Sequence, residues 1–203
     1  MNSIPKEKKD AIAANAAKIF LLHGIEKATI KEIALSSKVG EATIYRHYKT
    51  KVQLAILAAD YLQKEVFSSY FLSYDHENGF EGLKAFYMVF AEVYENHPEY
   101  YRFLDEFDIF ASKTEEGDKA DYESGISHFE DIYLSLYNQG IKDNTVNELE
   151  DVRSFYFAST HATLSLCKKL ASESVLTQDL SIDKSKELKV FIETILYRLE
   201  KNK

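Results

Sequence analysis

The sequence is poor in residues that cross-link or break a chain, with one cysteine, two prolines and seven glycines among 203 residues. A lone cysteine, Cys167, cannot form an internal disulfide, so the fold must depend on an apolar core, which 45% hydrophobic residues can supply. The chain has neither a charged-then-apolar leader nor an apolar run long enough to cross a bilayer. We therefore expect a cytoplasmic protein with no membrane partner. Because few residues break helices and most apolar residues recur three or four positions apart, the sequence predicts an all-α fold.

Motifs that carry catalysis or bind metals are also missing. There is no glycine-rich loop that could hold a phosphate, and no His-x-x-x-His or Cys-x-x-Cys spacing that could hold a metal. Cys167 has no neighbouring histidine that could activate its thiol. We expect a protein that is not an enzyme and that needs neither a cofactor nor a metal.

The charge is unevenly distributed along the chain. The net charge of −8 argues on its own against a nucleic-acid partner, since phosphate repels an acidic surface. Residues 1–51 contain ten Lys or Arg against five Asp or Glu, a balance of +5, whereas residues 52–203 contain 15 against 28, a balance of −13. Either this is random scatter along a soluble protein, or a basic N-terminal head attracts phosphate while an acidic body excludes it.

About nine helices follow from the apolar spacing and the capping residues. Pro5 suits the first turn of helix 1, and Gly24 suits its end. Thr29 and Glu32 have the spacing of a capping box for helix 2. The remaining helices are expected near these limits: helix 3 from Glu41 to Tyr48, helix 4 from Lys51 to about Ser73, helix 5 from Phe80 to Asn96, helix 6 after Pro98, helix 7 before Gly140, helix 8 from Asn147 to Ser172 and helix 9 from Asp183 to Lys201. Loops are expected at residues 75–79 and 112–121, and the inner stripe of helix 7 is expected to begin with Ile126.

Helices 2 and 3 have the pattern of a helix-turn-helix. Such a motif needs a small residue on its first helix, a sharp turn and an apolar residue on the second helix, and Ala34, Lys38 and Ile44 occupy those places. Val39 is expected to fill the corner between the helices. The outward residues of helix 3 can reach a DNA groove: Glu41, Ala42, Thr43, Tyr45, Arg46 and His47.

The stretch TIKEIALSSKVGEATIYRHYKTKVQL, residues 29–54, resembles the DNA-binding signature of the TetR/AcrR family of repressors. The matching positions are Thr29, Ile33, Ala34, Val39, Ile44, Tyr45, His47, Lys51 and Leu54, whereas Ser37, Lys38, Gly40 and Tyr48 depart from the pattern. The resemblance implies a three-helix DNA-binding domain at residues 1–50 and a helical ligand-sensing and dimerisation domain at residues 51–203. It also implies a repressor that binds a palindromic operator in double-stranded DNA.

Roles for single residues follow from the same resemblance. Tyr45, His47 and Lys51 would hold phosphates, and Thr29 would add a further phosphate contact. Base reading would fall to the following residues: Lys31, Glu41, Ala42, Thr43 and Arg46. For Glu41 the alternative is an acidic residue that only favours the helix dipole, and for Tyr48 inward packing is the expectation.

The body is expected to make a homodimer through helices 8 and 9. Small residues on helix 8 permit close approach of a second helix: Ala158, Ser159, Ala162 and Ser165. Two helix-turn-helix heads need a two-fold axis to read paired half-sites. An ordinary intramolecular core is the alternative.

A small-molecule effector is expected among the aromatic residues of helices 5 to 7, where it would tilt helix 4 and release DNA. The residues expected to line the pocket are Phe86, Phe90, Tyr101, Leu104, Asp105, Asp108, Phe129 and Tyr133. Core packing is the alternative for each aromatic, and surface solvation is the alternative for the two acids. An effector of this pocket would be hydrophobic or amphipathic. The body could instead respond to a protein partner or lack a ligand pocket.

Overall fold

Nine helices account for most of the described chain, which in this computed structural model comprises residues 5–67, 70, 76–112, 120–172 and 181–201, without the side chains of residues 120 and 121. The helices are α1 (Lys6–His23), α2 (Ile30–Ser36), α3 (Glu41–His47), α4 (Lys51–Phe67), α5 (Gly79–Asn96), α6 (Pro98–Ala111), α7 (Ala120–Lys142), α8 (Val152–Ala171) and α9 (Lys184–Leu199). No strand is named among the described residues, where Val146 and Glu200 form only an isolated bridge. The predicted all-α fold of about nine helices is confirmed.

The first helices begin and end where their capping residues predict. The Thr29 side chain accepts a hydrogen bond from the Glu32 amide, and the Glu32 carboxylate accepts from the Thr29 amide, so the capping box of α2 is complete. Gly24 ends α1 with φ +77° and ψ 158°. This is a positive-φ conformation suited to glycine, but an extended one and not the left-handed helical cap that the sequence predicts.

Two later boundaries differ from the prediction. Helix α8 begins at Val152 because the Asp151 side chain caps it, accepting from the Ser154 amide. Asn147, the predicted start, instead donates its side-chain N–H to the carbonyl of Glu200 at 2.7 Å. Helix α7 begins at Ala120, inside the predicted loop at residues 112–121, and residues 113–119 of that loop lie outside the described residues. The described part of α4 ends at Phe67, and the predicted end near Ser73 also lies outside them.

The chain divides into two compact units. Unit 1 comprises Met1–Val66 and Arg102–Gly125, and unit 2 comprises Phe67–Tyr101 and Ile126–Lys203. The divisions fall inside α4, α6 and α7, so these units do not follow the predicted domains 1–50 and 51–203, which remain a prediction about function.

Unit 1 joins the three N-terminal helices to α4 and to the greater part of α6. Its core includes a row of aromatic rings, in which Phe20 of α1 stacks on Phe103 at a centroid distance of 6.4 Å and Phe103 stacks on Phe107 at 5.9 Å. Ile12, on the same face of α1 as Phe20, is fully buried. This packing fixes α6 against the back of α1.

Unit 2 is built around α5, which contacts both α8 and α9. The helix is buried on nearly every side, as its sequence predicts, with Leu83 and Tyr87 fully enclosed. Gly79, at its start, lies against Gly140 of α7 so closely that a Cβ atom on Gly79 would stand 2.0 Å from the Gly140 nitrogen. The prediction that Ile126 begins the buried stripe of α7 is wrong, because its side chain is exposed near the start of that helix.

No helix within the described ranges is long and apolar enough to cross a membrane. The histidine, cysteine and acidic side chains of those ranges do not gather into a group that could hold a metal ion.

Candidate nucleic-acid interface

Helices α2 and α3 pack against each other around a small apolar centre. Ile33, Ala34 and Ile44 are buried there. The turn between the helices is closed by the Val39 amide, which donates to the Ala34 carbonyl at 3.0 Å. Lys38 takes the left-handed conformation, with φ +53°. The three positions that define a helix-turn-helix therefore behave as the sequence predicts.

Helix α3 fully buries a single residue, Ile44, and leaves most of its other residues exposed. Glu41, Ala42, Tyr45 and Arg46 are exposed, and Tyr45 leaves 52% of its surface accessible. About half of this large aromatic residue is therefore available to a partner.

Two further residues of α3 are partly covered. Thr43 and His47 are half-buried. The Arg46 Nε donates to the His47 Nε2 at 3.4 Å, which leaves Nδ1 as the nitrogen of His47 able to donate outward. Tyr48 is half-buried as expected, and burial, followed by the negative charge of Asp10, raises the pKa of its hydroxyl.

Thr29 is exposed, yet both of its donors are engaged. Its amide and its hydroxyl each donate to the Glu32 carboxylate at 2.8 Å. These bonds, the side-chain one first, lower the pKa of Glu32. A phosphate accepts hydrogen bonds, so a contact from Thr29 would compete with the capping box. The predicted phosphate contact remains a prediction.

Lys51 is turned toward the loop between α1 and α2. Its Nζ donates to the carbonyls of Glu26 at 2.7 Å and Ala28 at 3.0 Å, and lies 5.8 Å from the centre of the Phe110 ring. Two of the three donors of the ammonium group are thus committed within the protein. One donor is left for the predicted phosphate contact.

Cations are the dominant exposed charge of the first 51 residues. Eight of the ten Lys and Arg there are exposed: Lys6, Lys8, Lys18, Lys27, Lys31, Lys38, Arg46 and Lys49. Lys31 stands on the outward side of α2, and Arg46 stands on that of α3. This distribution favours a polyanion at this end of the sequence.

Sequence comparison identifies the segment that carries this geometry. Residues 12–58 match the family model described as "Bacterial regulatory proteins, tetR family". These residues belong to the tetR family. The match covers α1, α2, α3 and the start of α4, and no curated protein matches the chain.

Solved TetR structures share the fold over nearly the whole chain. A TetR transcription regulator from Haloarcula marismortui has a TM-score of 0.67 and 17% identity, over 97% of this chain and 100% of that one. The ketosteroid transcriptional regulator KstR2 of Mycobacterium tuberculosis has a TM-score of 0.61 and 17% identity, over 98% of each chain. The fatty acid degradation regulator FadR from Bacillus halodurans has a TM-score of 0.62 and 16% identity, over 96% of this chain and 97% of that one. At these identities the likeness concerns the fold alone, which is the TetR fold.

The residues predicted to line an effector pocket are divided between the two units of this TetR fold. Leu104, Asp105 and Asp108 belong to unit 1, whereas Phe86, Phe90, Tyr101, Phe129 and Tyr133 belong to unit 2. Asp105 is half-buried and Asp108 is exposed, and the pocket role of both acids remains a prediction.

Within unit 2 the predicted pocket residues form part of an aromatic cluster. The Phe86 ring lies 5.5 Å from Tyr133 and 6.0 Å from Phe90, and Tyr133 lies 5.0 Å from Tyr156. The Tyr133 hydroxyl is buried beside that of Tyr87, without a hydrogen bond of good geometry among the described residues, while the Tyr87 hydroxyl bonds Ser159 Oγ at 2.6 Å. Burial therefore raises the pKa of Tyr133 strongly.

Helices α8 and α9, which the TetR resemblance assigns to a dimer, each leave one face exposed. The exposed positions on α8 include Ala158, Ala162 and Ser165, and those on α9 include Val190, Thr194 and Tyr197. Both sets have the spacing i, i+4, i+7 of one helix face. Ser159 does not belong to this face, because it is buried against Tyr87, and its predicted place in a dimer contact is wrong.

The sequence does not predict that Glu106 contacts the N-terminal head. Its Oε2 accepts from the Ile25 amide at 2.7 Å. The two residues are 81 positions apart, and no local pattern links an acid on α6 to an amide beyond the end of α1.

Proposed function

We propose that this chain is a ligand-responsive transcriptional repressor that binds a palindromic operator as a homodimer. The main support is the outward face of α3, because this seven-residue helix fully buries only Ile44 and leaves its other side chains for a partner. Its length and exposure suit a major groove. The tetR-family match over residues 12–58 supports the same reading.

Different residues are proposed to position the protein and to read the sequence. Tyr45, His47 and Lys51, with Thr29, hold phosphates and set the register. Lys31, Arg46, Glu41, Ala42 and Thr43 face the bases, where a cation suits guanine, a carboxylate suits cytosine N4, and a methyl group suits thymine. Glu41 also lies in the first turn of α3, where it favours the helix dipole whether or not it reads a base.

The homodimer is proposed to form through the exposed faces of α8 and α9. Ala158 and Ala162 permit close approach, and Tyr197, with 75% of its surface exposed, supplies an aromatic anchor. A two-fold axis through these helices gives two heads and a palindromic site.

The effector is proposed to be a small hydrophobic or amphipathic molecule bound among the aromatic rings. The buried hydroxyl of Tyr133 would donate a hydrogen bond to an acceptor on such a molecule, since a buried donor gains most from being well paired. The structural neighbours named for ketosteroid and for fatty acid degradation support an apolar class of effector.

Selection from a library of random DNA duplexes tests the DNA-binding part. The purified protein should enrich one sequence with two inverted half-sites, spaced by about one helical turn or a multiple of it. Failure to enrich any sequence, with binding that depends only on duplex length and salt, would reject the operator model.

On the enriched duplex, Lys51→Ala and Thr43→Ala should behave differently. Loss of a phosphate contact should weaken binding to all sequences and lower the slope of log K against log salt by about 1. Thr43→Ala should instead change the preferred base at one position of each half-site while leaving the salt slope intact. Fluorescence anisotropy over a salt series checks both, and an unchanged slope for Lys51→Ala would assign that residue to the protein interior alone.

A thermal-shift screen tests the effector part. Hydrophobic and cationic amphipathic compounds should raise the melting temperature in proportion to their binding, and active compounds should release the duplex in a gel-shift titration. A compound that binds and leaves DNA affinity unchanged contradicts induction. No stabilising compound across the screen would favour a protein partner.

A further inference from the structure

The loop between α1 and α2, residues 24–28, is held by a carboxylate from α6. Glu106 Oε2 accepts from the Ile25 amide at 2.7 Å. The same carboxylate lies against Gly24, where an added Cβ atom would stand 2.9 Å from Oε2 and 3.1 Å from Oε1. A bond from an amide to an ionised acceptor is stronger than one between neutral groups. Glycine at position 24 therefore allows the backbone its φ of +77° and leaves space for the Glu106 carboxylate.

Helix α4 holds two carbonyl groups of the same loop. Lys51 Nζ donates to the carbonyls of Glu26 and Ala28. The loop is therefore held by two charged side chains, since Glu106 accepts from its amide at Ile25 and Lys51 donates to its carbonyls. Phe110, one turn beyond Glu106 on α6, covers the ammonium at 5.8 Å. Helix α6 thus contacts the loop directly through Glu106, and it contacts Lys51, the other residue that holds the loop, through Phe110.

The loop leads directly into groups proposed to contact DNA. Ile25 and Ala28 are buried, with 1% and 2% of their surface exposed, so the loop is anchored at both ends. Thr29 follows Ala28 and caps the start of α2. A change at the Ile25 amide would shift both the start of α2 and the carbonyls that orient Lys51.

We propose that Glu106 is a positioning residue for DNA binding, which sets the α1–α2 loop so that α2 and Lys51 meet the phosphates. The inference rests on the proposed function, since it concerns how the proposed DNA contacts are arranged. Glu106 lies too far along the chain from the motif to belong to it, and it stands on α6, whose first residues, Pro98–Tyr101, belong to unit 2. Helix α6 therefore contacts the N-terminal head, as α4 does.

Two substitutions of equal charge separate positioning from electrostatics. Glu106→Ala removes both the charge and the acceptor, whereas Glu106→Gln removes the charge and keeps a carbonyl oxygen that can accept from Ile25. Loss of one negative charge should by itself favour DNA binding in both variants. Glu92→Ala, at an exposed position on α5, removes a negative charge away from the loop and serves as the control for charge and truncation.

Binding is measured by anisotropy on the duplex enriched from the random library, well below the melting temperature of each variant. Glu106→Ala should bind about tenfold more weakly than the parent, and Glu106→Gln should bind at least as tightly as the parent. Amide hydrogen exchange in the free protein should show the Ile25 amide exchanging about tenfold faster in Glu106→Ala, with little change in Glu106→Gln. A residue that only stabilised the fold would lower the melting temperature and leave the affinity of the folded protein unchanged.

The proposal is overturned if Glu106→Ala, folded by circular dichroism, binds within twofold of Glu92→Ala. It is also overturned if Glu106→Gln loses as much affinity as Glu106→Ala, because the acceptor would then be irrelevant. If Glu106→Ala does not fold, the comparison of Glu106→Gln with the parent decides, and a loss of affinity rejects the proposal. If no duplex is enriched at all, the proposed function fails, while faster exchange at Ile25 still reports the loop contact.

Discussion

Single residues in this protein carry strain where the helix-turn-helix turns most sharply. Lys38 adopts φ +53°, a region that costs a residue with a Cβ about 1 kcal/mol. The TetR/AcrR signature usually has glycine at this position, and Lys38 adopts the same left-handed turn conformation at that cost. The sharp turn is held by its neighbours, including the Val39 to Ala34 hydrogen bond at 3.0 Å.

Lys38→Gly should therefore stabilise the protein by roughly 1 kcal/mol in urea denaturation, since glycine enters this conformation without strain. Lys38→Ala is the matched control, because it removes the same charge and long side chain but keeps the Cβ. The strain explanation fails if alanine stabilises as much as glycine.

At the scale of elements, capping residues decide where several of the described helices start. Asn78, Asp151 and Asp183 each accept a hydrogen bond from the amide three residues later, and Thr29 does so within a full capping box. Each such bond satisfies an amide that has no partner within the helix.

Thr29→Ala should destabilise the protein by about 1 kcal/mol at neutral pH. The folded-state pKa of Glu32 lies below its ordinary value of 4.5 because Thr29 donates to the ionised form. A lowered pKa contributes stability above the unfolded value, and that stability is lost as pH falls through the folded value. Urea denaturation of parent and variant in a series of buffers should show their difference shrinking in acid, and a constant difference would remove Glu32 from the cap.

The sequence predicts local features better than distant contacts. The limits of α1, α2 and α3 follow from glycine, proline and capping residues within a few positions of each end. The start of α8 does not, because Asn147 and Asp151 are both residues that cap helices, and only the bonds from Asn147 to the C-terminal segment select Asp151.

The candidate site shows the same division. The outward set on α3 follows from helical periodicity, since one buried residue fixes the phase of seven. The orientation of Lys51 does not, because its partners Glu26 and Ala28 are 25 and 23 positions away and are backbone atoms. The burial of Ser159 against Tyr87 does not follow either, because helix phase alone does not say which neighbour covers a residue.

At the scale of the whole molecule, the exposed faces of α8 and α9 account for the proposed assembly. Val190 and Tyr197 on α9 are 52% and 75% exposed, and Phe157 on α8 is 37% exposed. Apolar side chains clustered on two adjacent helices of unit 2 mark an interaction site more strongly than scattered ones.

Tyr197→Asp should convert a dimer to a monomer, because burying an unpaired carboxylate in a symmetric interface costs the interface twice. Sedimentation velocity over a range of protein concentrations measures the state. Leu22→Asp, at a side chain on α1 that is 66% exposed, is the matched control and should sediment as the parent does. Dimers of Tyr197→Asp at low concentration would place the interface elsewhere.

Cys167 gives this chain a practical property for spectroscopy. The thiol is fully buried and its pKa is raised by burial to about 12, so it remains protonated and shielded from maleimides at neutral pH. It is the single cysteine of a chain that also has no tryptophan. A cysteine placed at an exposed position such as Leu35 would accept a fluorescent dye selectively, and one tryptophan introduced elsewhere would be the sole indole emitter. Motion of the DNA-reading segment could then be followed with two probes against a background free of competing signals.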